Sequence, residues 1–325
     1  MEFIFLGTSS GSPTKQRNVS GLALKSSRRK SWCLVDCGEG TQHQLLHTPL
    51  ALSRLSAIMI THVHGDHCFG LPGLLASAAM AGRTQPITVV APAAIKGWLE
   101  HSQQMAETHL PFALNFIDVS QLNSPVMIDA FEISTTALSH RVPSFAYGFA
   151  EVVKDRALDV DKLKAEQIPA GAHWGQLQNG QDVMLEDGRR LLATDYLLPP
   201  RKPRYIIVGG DNDSPQLLSQ KASQADVLIH EATYTMDVAD RVGSGPQHSC
   251  AKQVAEMAEQ SGLRHLILTH FSARYAYSQA SQPNISAIEN EAREAYSGQL
   301  FLANDLDHFR LNQLGELSLI NQTCD

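Results

Sequence analysis

Ala57-Ile58-Met59-Ile60-Thr61-His62-Val63-His64-Gly65-Asp66-His67 is the stretch on which the reading of this chain turns. Four apolar residues with the look of a buried strand run straight into three imidazoles and a carboxylate. If the backbone stays extended as the strand ends, residues two apart share a face. His62, His64 and Asp66 are then expected to converge, while Gly65 permits a tight bend that brings His67 round from the other side. Neutral imidazole and carboxylate suit zinc best, with manganese or iron as lesser candidates. A Leu- and Ala-rich helix expected over Phe69–Met80 would anchor the loop. A lone His-x-His is common on surfaces; four ligand-type residues in this register at the end of a strand read as a metal nest.

Composition agrees with an enzyme. The 325 residues, with 43% hydrophobic and 6% aromatic content, suffice for one large core or two smaller ones. No apolar run approaches the roughly eighteen residues of a membrane span. The start, Met1-Glu2-Phe3-Ile4-Phe5-Leu6-Gly7, lacks the basic segment of a signal peptide and reads as a first strand. Cys33, Cys37, Cys68, Cys250 and Cys324 include no C-x-x-C pair, which points to reduced thiols in a cytoplasmic setting. Cys68 is open to two readings, a metal ligand beside His67 or a small buried hydrophobe.

The net charge of −7 argues mildly against a nucleic-acid partner. Its distribution softens that: Lys15, Arg17, Lys25, Arg28, Arg29 and Lys30 stand against Glu2 alone in the first 35 residues. Such a run is either a solvated face or a path for phosphates.

Further along, strand-like runs at Ser31–Val35, Ile87–Ala91, Phe131–Thr136, Tyr205–Val208, Val227–His230 and His265–Thr269 alternate with helical patterns near 94–106, 215–223, 249–261 and 285–296. The chain is therefore expected to be α/β. Ligand-type residues recur where these strands end: Asp36 after Val35, His140 after Ser139, Asp211 after Gly210 and His270 after Thr269. One alone would suit a core or a cap; four together suggest a shared site.

At these positions the sequence resembles the metallo-β-lactamase fold, which implies an αββα sandwich, expected here as a single domain over residues 1–325 with a flexible inserted arm. Pro13-Thr14-Lys15-Gln16-Arg17-Asn18, Asp36-Cys37-Gly38-Glu39-Gly40-Thr41-Gln42, and His230-Glu231-Ala232-Thr233 followed by His248-Ser249 narrow the resemblance to the ribonuclease Z family. That resemblance implies an endoribonuclease that removes the 3′ trailer from precursor tRNA. It implies two zinc ions, with manganese or another divalent ion as alternatives. His62, His64 and His140 would hold the first, Asp66, His67 and His270 the second, and Asp211 would bridge them. Asp66 would also accept a proton, and His248, held by Glu231, would donate one to the leaving oxygen. Asp36 would brace the metal loop from behind. Lys15, Arg17 and Asn18 would lie beside the RNA 3′ end, and Ser272 and Arg274 near the scissile phosphate; a plain surface role for Arg274 stays equally open. A homodimer is implied, with no membrane and no organic cofactor.

Residues 151–204 look like the arm that grips the tRNA, with two departures from the family pattern. The arm has Gly171-Ala172 where Gly-Pro is usual, and its nine basic and nine acidic side chains sum to zero. Its grip is then expected to rest on shape and a few lysines rather than on counterion release. Elsewhere Asn212 and Cys250 stand where threonine is usual, and Leu306 where phenylalanine is. Two other functions remain open at this point: a metal-dependent phosphodiesterase of small substrates such as cyclic nucleotides, and an RNA-binding protein without turnover.

Overall fold

In the computed structural model, which describes residues 1–27, 29–152, 156–199, 201–276 and 282–320, the apolar run before the histidines forms the strand Leu55–Met59. It lies within an eight-stranded sheet ordered Leu317–Ile320, His308–Leu311, Glu2–Gly7, Gly21–Lys25, Trp32–Val35, Leu55–Met59, Ile87–Ala91, Leu114–Asp118. The last four strands are parallel, the others antiparallel. A seven-stranded sheet is ordered Gln299–Leu302, His265–Thr269, Val227–Glu231, Tyr205–Val208, Ser144–Glu151, Phe131–Leu138, Val126–Ile128.

Inner strands such as Ile87–Ala91 and Val227–Glu231 are buried along nearly all their length because both sheet faces are covered there, while Phe131–Leu138 and His308–Leu311 keep exposed polar residues. Phe3, Phe5, Met59 and Val90 of the first sheet meet Phe131, Tyr147, Phe149, Val208 and Ile229 of the second in one shared core. The alternate residues point outward. Ile4, Leu6, Ile58 and Ile60 pack on Leu71, Leu74 and Leu75 of helix Leu71–Met80 and on Ile95 and Leu99 of helix Ala93–Met105. On the far side Ile207, Leu228 and Leu266 pack on Val254 and Met257 of helix Ala251–Gln260 and on Ile288 of helix Ser286–Ala295. Helix, sheet, sheet, helix is the αββα sandwich of the metallo-β-lactamase fold. The buried Tyr147 hydroxyl crosses between the sheets, donating to the carbonyls of Ile60 at 2.8 Å and Val90 at 3.0 Å.

Strand direction decides where the site lies. Tyr205–Val208, Val227–Glu231 and His265–Thr269 are mutually parallel. Phe131–Leu138 runs the same way, since two antiparallel steps separate it from Tyr205–Val208. Asp211, Glu231, His270 and His140 therefore all stand at carboxyl-terminal strand ends, the edge where parallel sheets place ligands.

Two local expectations are corrected. The metal loop does not stay extended: Gly65–Cys68 forms its own helical turn, and the helix expected from Phe69 begins at Leu71. Pro72 explains the restart, since its missing N–H is tolerated only in a first turn. The pattern over 215–223 resolves into a 3-10 turn, Pro215–Leu218, followed by Ser219–Ala222.

Val152–Pro203 forms a separate compact unit. Its helices Val160–Ala165 and Ala172–Gln178 and the hairpin Val183–Met184/Arg190–Leu191 enclose a small core of Leu163, Ile168, Leu177, Val183, Leu191 and Tyr196. Asp159 caps the first of these helices, accepting from Lys162 N at 2.9 Å. Among the described residues no helix is long and apolar enough to cross a membrane. Cys33, Cys37, Cys68 and Cys250 are buried free thiols, and Cys324 lies outside the described residues.

Candidate metal centre

The strand ends bring two groups of donors together. In the first, His62 Nε2 and His140 Nε2 stand 3.0 and 3.1 Å from His64 Nδ1. In the second, His67 Nε2 is 3.2 Å from His270 Nε2, and Asp66 Oδ2 lies 3.5 and 3.4 Å from these two. Asp211 joins the groups through different oxygens. Its Oδ2 is 3.6 Å from His62 and 3.7 Å from His140, while its Oδ1 is 3.3 Å from both His67 and His270. The helical turn at Gly65 is what separates the sets. It carries Asp66 away from His62 and His64 and over to His67, so the expected shared face of His62, His64 and Asp66 is replaced by two clusters. Gly65 makes no left-handed bend; a Cβ there would stand 2.4 Å from the Phe69 ring.

The outer nitrogens explain why the inner ones face each other. His67 Nδ1 donates to Asp36 Oδ2 at 2.7 Å and His140 Nδ1 to the Gln247 carbonyl at 2.9 Å. Thr61 Oγ1 gives its proton to Asp36 Oδ2 at 2.9 Å and so accepts from His62 Nδ1 at 3.0 Å. Thr233 Oγ1 gives its proton to Glu231 Oε2 and accepts from His270 Nδ1 at 3.1 Å. In its neutral form each of these four rings turns an Nε2 lone pair toward the clusters. The Nε2 atoms of His67 and His270, 3.2 Å apart, must either share a proton or have a cation between them. A zinc ion with tetrahedral bonds of 2.0–2.1 Å would set its donors about 3.4 Å apart. The donor chemistry thus fits divalent metal.

Charge points the same way. Burial pushes His62, His64 and His140 below the ordinary imidazole range, so they are neutral donors. Burial alone would do the same to His67, but the carboxylates of Asp211, Asp36 and Asp66 raise it well above that range. A proton there occupies the second cluster in place of a cation, and cation binding would displace it. Despite burial, Asp66 and Asp211 are held well below the usual carboxylate range by the neighbouring imidazoles.

Beside the donors lies a second charged pair. His248 Nδ1 donates to Glu231 Oε1 at 2.9 Å and lies 3.8 Å from Asp211 Oδ2. Burial works against protonation of His248, yet the Glu231 charge and hydrogen bond raise it to about 9. Asn212 N at 2.9 Å and the Thr233 hydroxyl hold Glu231 in turn.

A profile of the family described as "Anti-Pycsar protein Apyc1" matches residues 1–155. A ribonuclease Z of Marinobacter nauticus is 51% identical over 313 residues, 96% of this chain and 97% of its own length. One of Pseudomonas putida is 51% identical over 97% of this chain and 98% of its own. The chain belongs to the ribonuclease Z family. Among solved structures, human tRNase Z, short form, superposes with a TM-score of 0.65 at 24% identity, covering 96% of this chain and all of that one, which supports the fold.

The motifs that carried the family resemblance have physical reasons here. Gly38 is a close approach: a Cβ on it would stand 2.3 Å from the Asp66 carbonyl. Asp36, in a left-handed conformation with φ 59°, receives Thr61 N at 2.7 Å as well as Thr61 Oγ1 and His67. Arg17 sits differently from a solvent-facing phosphate ligand. It is buried over the Phe271 ring and donates to the Ala303 carbonyl at 2.6 Å and Asn304 Oδ1 at 3.2 Å. Asn18 N donates to Asp305 Oδ2 at 2.6 Å. Both residues hold their loop down, while Lys15 remains exposed. Arg274 is exposed beside Ser272 Oγ, 3.4 Å from its Nη1, and over the Tyr234 ring. Cys68 Sγ points to the Val63 and His64 carbonyls, and burial pushes its thiol up to about 12, the behaviour of a buried hydrophobe. Thr61, Thr233 and the Gly11 amide, which donates to Asp66 Oδ2 at 2.8 Å, were not assigned roles from sequence. The two threonines lay inside quoted motifs; the Gly11 contact spans 55 residues and left no local signal.

Proposed function

We propose that this protein removes the 3′ trailer from precursor tRNA, cutting just 3′ of the discriminator nucleotide to leave a tRNA 3′-hydroxyl and a 5′-phosphorylated trailer. The chain is a metal-dependent endoribonuclease of the metallo-β-lactamase fold, and the proposal refines substrate, metal and cut. One observation carries it: two donor clusters share Asp211, and an imidazole paired with a carboxylate stands 3.8 Å from that shared residue.

Two zinc ions held by His62, His64, His140 and by Asp66, His67, His270, with Asp211 between them, would activate water and neutralise charge growing on a phosphoryl oxygen. The side chains manage the protons. Asp66 takes the proton from the attacking water. Across the phosphorus, the ribose 3′ oxygen leaves with its bonding electrons and takes a proton from His248, whose other nitrogen stays on Glu231. Asp36 keeps His67 aimed at the cluster.

Lys15, Ser272 and Arg274 line the approach and supply phosphate contacts, and the loop pinned by Arg17 and Asn18 positions the RNA 3′ end. The unit Val152–Pro203 is the arm that holds the body of the tRNA, in a homodimer where one subunit's arm serves the other's site. The setting is cytoplasmic.

A second reading, a phosphodiesterase of small substrates, draws on the unit formed by Met1–Glu151 and Arg204–Asp325, which alone contains every donor as well as Glu231 and His248. Incubation of a precursor bearing a 3′ trailer, followed by end analysis, tests the first reading. Asp66→Ala is expected to abolish cleavage and His248→Ala to slow it by about 10²–10⁴. Precursor tRNA left intact while small phosphodiesters are cleaved would select the second reading.

A further inference from the structure

Between the metal cluster and the Glu231–His248 pair lies a buried residue that the mechanism above leaves idle. Asn212 is fully buried, and all four of its polar groups are engaged. Its N–H donates to Glu231 Oε1 at 2.9 Å. Its carbonyl accepts from Ser249 Oγ at 2.5 Å, one residue beyond His248. Its Oδ1 accepts from Ser139 N at 3.2 Å, one residue before His140, and from Ser214 N at 3.2 Å. Its Nδ2 faces His230 Nε2 at 3.1 Å.

His230 completes the arrangement. Its ring is fully buried, and Nδ1 donates to the Glu231 carbonyl at 2.7 Å. That bond leaves a lone pair on Nε2, so the contact with Asn212 runs in one direction, amide to imidazole. Burial, which lowers this histidine from its ordinary range, keeps the ring neutral as that contact requires. The amide cannot flip without setting Oδ1 against a lone pair and Nδ2 against two N–H donors.

We propose that Asn212, locked in orientation by His230, is a positioning residue that registers the proton donor His248 on the metal cluster. Its backbone holds the carboxylate under His248 and the residue after it, while its side chain holds the start of the His140 segment. The proton must reach the leaving oxygen while that oxygen is still bonded to phosphorus. A small drift between donor and cluster therefore costs protonation before it costs metal binding. A residue that only supported the fold would affect every substrate alike.

The inference rests on the reading of His248 as the acid. The experiment compares Asn212→Ala and the isosteric Asn212→Asp with the wild type, each loaded with zinc, on two substrates. Precursor tRNA releases a ribose alkoxide that needs a proton; bis(p-nitrophenyl) phosphate releases a phenolate that leaves without one. We expect kcat on precursor tRNA to fall at least about 10-fold, part of the 10²–10⁴ that a positioned acid supplies. KM, zinc content and kcat on the small diester should stay within about two-fold of wild type, the scale of ordinary surface changes. Should Asn212→Ala fail to fold, Asn212→Asp retains the volume and Oδ1 but puts an acceptor where Nδ2 donated, so that His230 must take up a proton to meet it, and the same split is expected of it. Equal losses on both substrates, no loss on either, or loss of zinc would overturn the role. If His248→Ala leaves wild-type cleavage of precursor tRNA untouched, the reading of His248 fails first and is recognised separately.

Discussion

Replacing Asp36 by Asn isolates what a carboxylate behind the metal loop contributes. The position has φ 59°, a left-handed conformation that Asn tolerates as well as Asp, so the backbone is not disturbed. Of the two amide orientations, only the one with Oδ1 on Thr61 N keeps Nδ2 off that fixed backbone N–H. Nδ2 then faces Thr61 Oγ1 and His67 Nδ1, where a carboxylate oxygen accepted at 2.9 and 2.7 Å. A hydroxyl can turn to accept. The imidazole must move its remaining proton to Nε2, the atom 3.2 Å from His270 Nε2 and 3.3 Å from Asp211 Oδ1. To bind a cation there, His67 has to return to its other tautomer without the charge-assisted hydrogen bond to Asp36, which contributes about 1.5–3 kcal/mol in the wild type. At about 1.4 kcal/mol per factor of ten, that is roughly a 10- to 100-fold loss of affinity, the size typical for losing a residue that orients a metal ligand. Chelator competition should show the cation at Asp66, His67 and His270 weakened by this factor. A cation held by His62, His64 and His140 would change less. Wild-type affinity for both cations in Asp36→Asn would refute the tautomer argument.

Two further outcomes follow from the same geometry. In metal-stripped protein, the Glu231 pairing raises His248 from 6.5 to about 9, so its stabilisation is fully present below pH 6.5 and is lost as pH rises through about 9. The thermal midpoint of Glu231→Gln should therefore lie furthest below wild type under pH 6.5 and converge on it above about pH 9; a pH-independent gap would refute the pairing. Gly210→Ala would set a Cβ 2.7 Å from Thr61 Cβ and 2.9 Å from the Phe145 carbonyl, next to the shared Asp211. A loss of about 1–3 kcal/mol, with weaker binding of both cations, is expected in denaturant and chelator titrations. Gly97→Ala, in open helix surface, serves as a control expected to gain about 0.5–1 kcal/mol.

The donor residues were legible because each stands where an apolar strand stops, a pattern local in sequence. Asp36, His140, Asp211 and His270 were found this way before any fold was known. Arg17 shows the limit. The resemblance placed it beside the RNA 3′ end, and only contacts with Ala303 and Asn304, nearly three hundred residues away, show that it also anchors its loop. Gly65 was read as a bend because glycine permits one, whereas here it opens a helical turn under the Phe69 ring.

By itself the sequence showed an α/β pattern and a roster of candidate metal donors, and the sandwich was implied by the resemblance to the metallo-β-lactamase fold. Strand periodicity and the density of imidazole and carboxylate at strand ends are properties of neighbouring residues. Only the tertiary structure decided which nitrogen each ring presents and which Asp211 oxygen faces which donors. Those outcomes depend on hydrogen bonds such as Asp36 to His67 and Thr233 to His270, made between segments that meet only after both sheets have stacked.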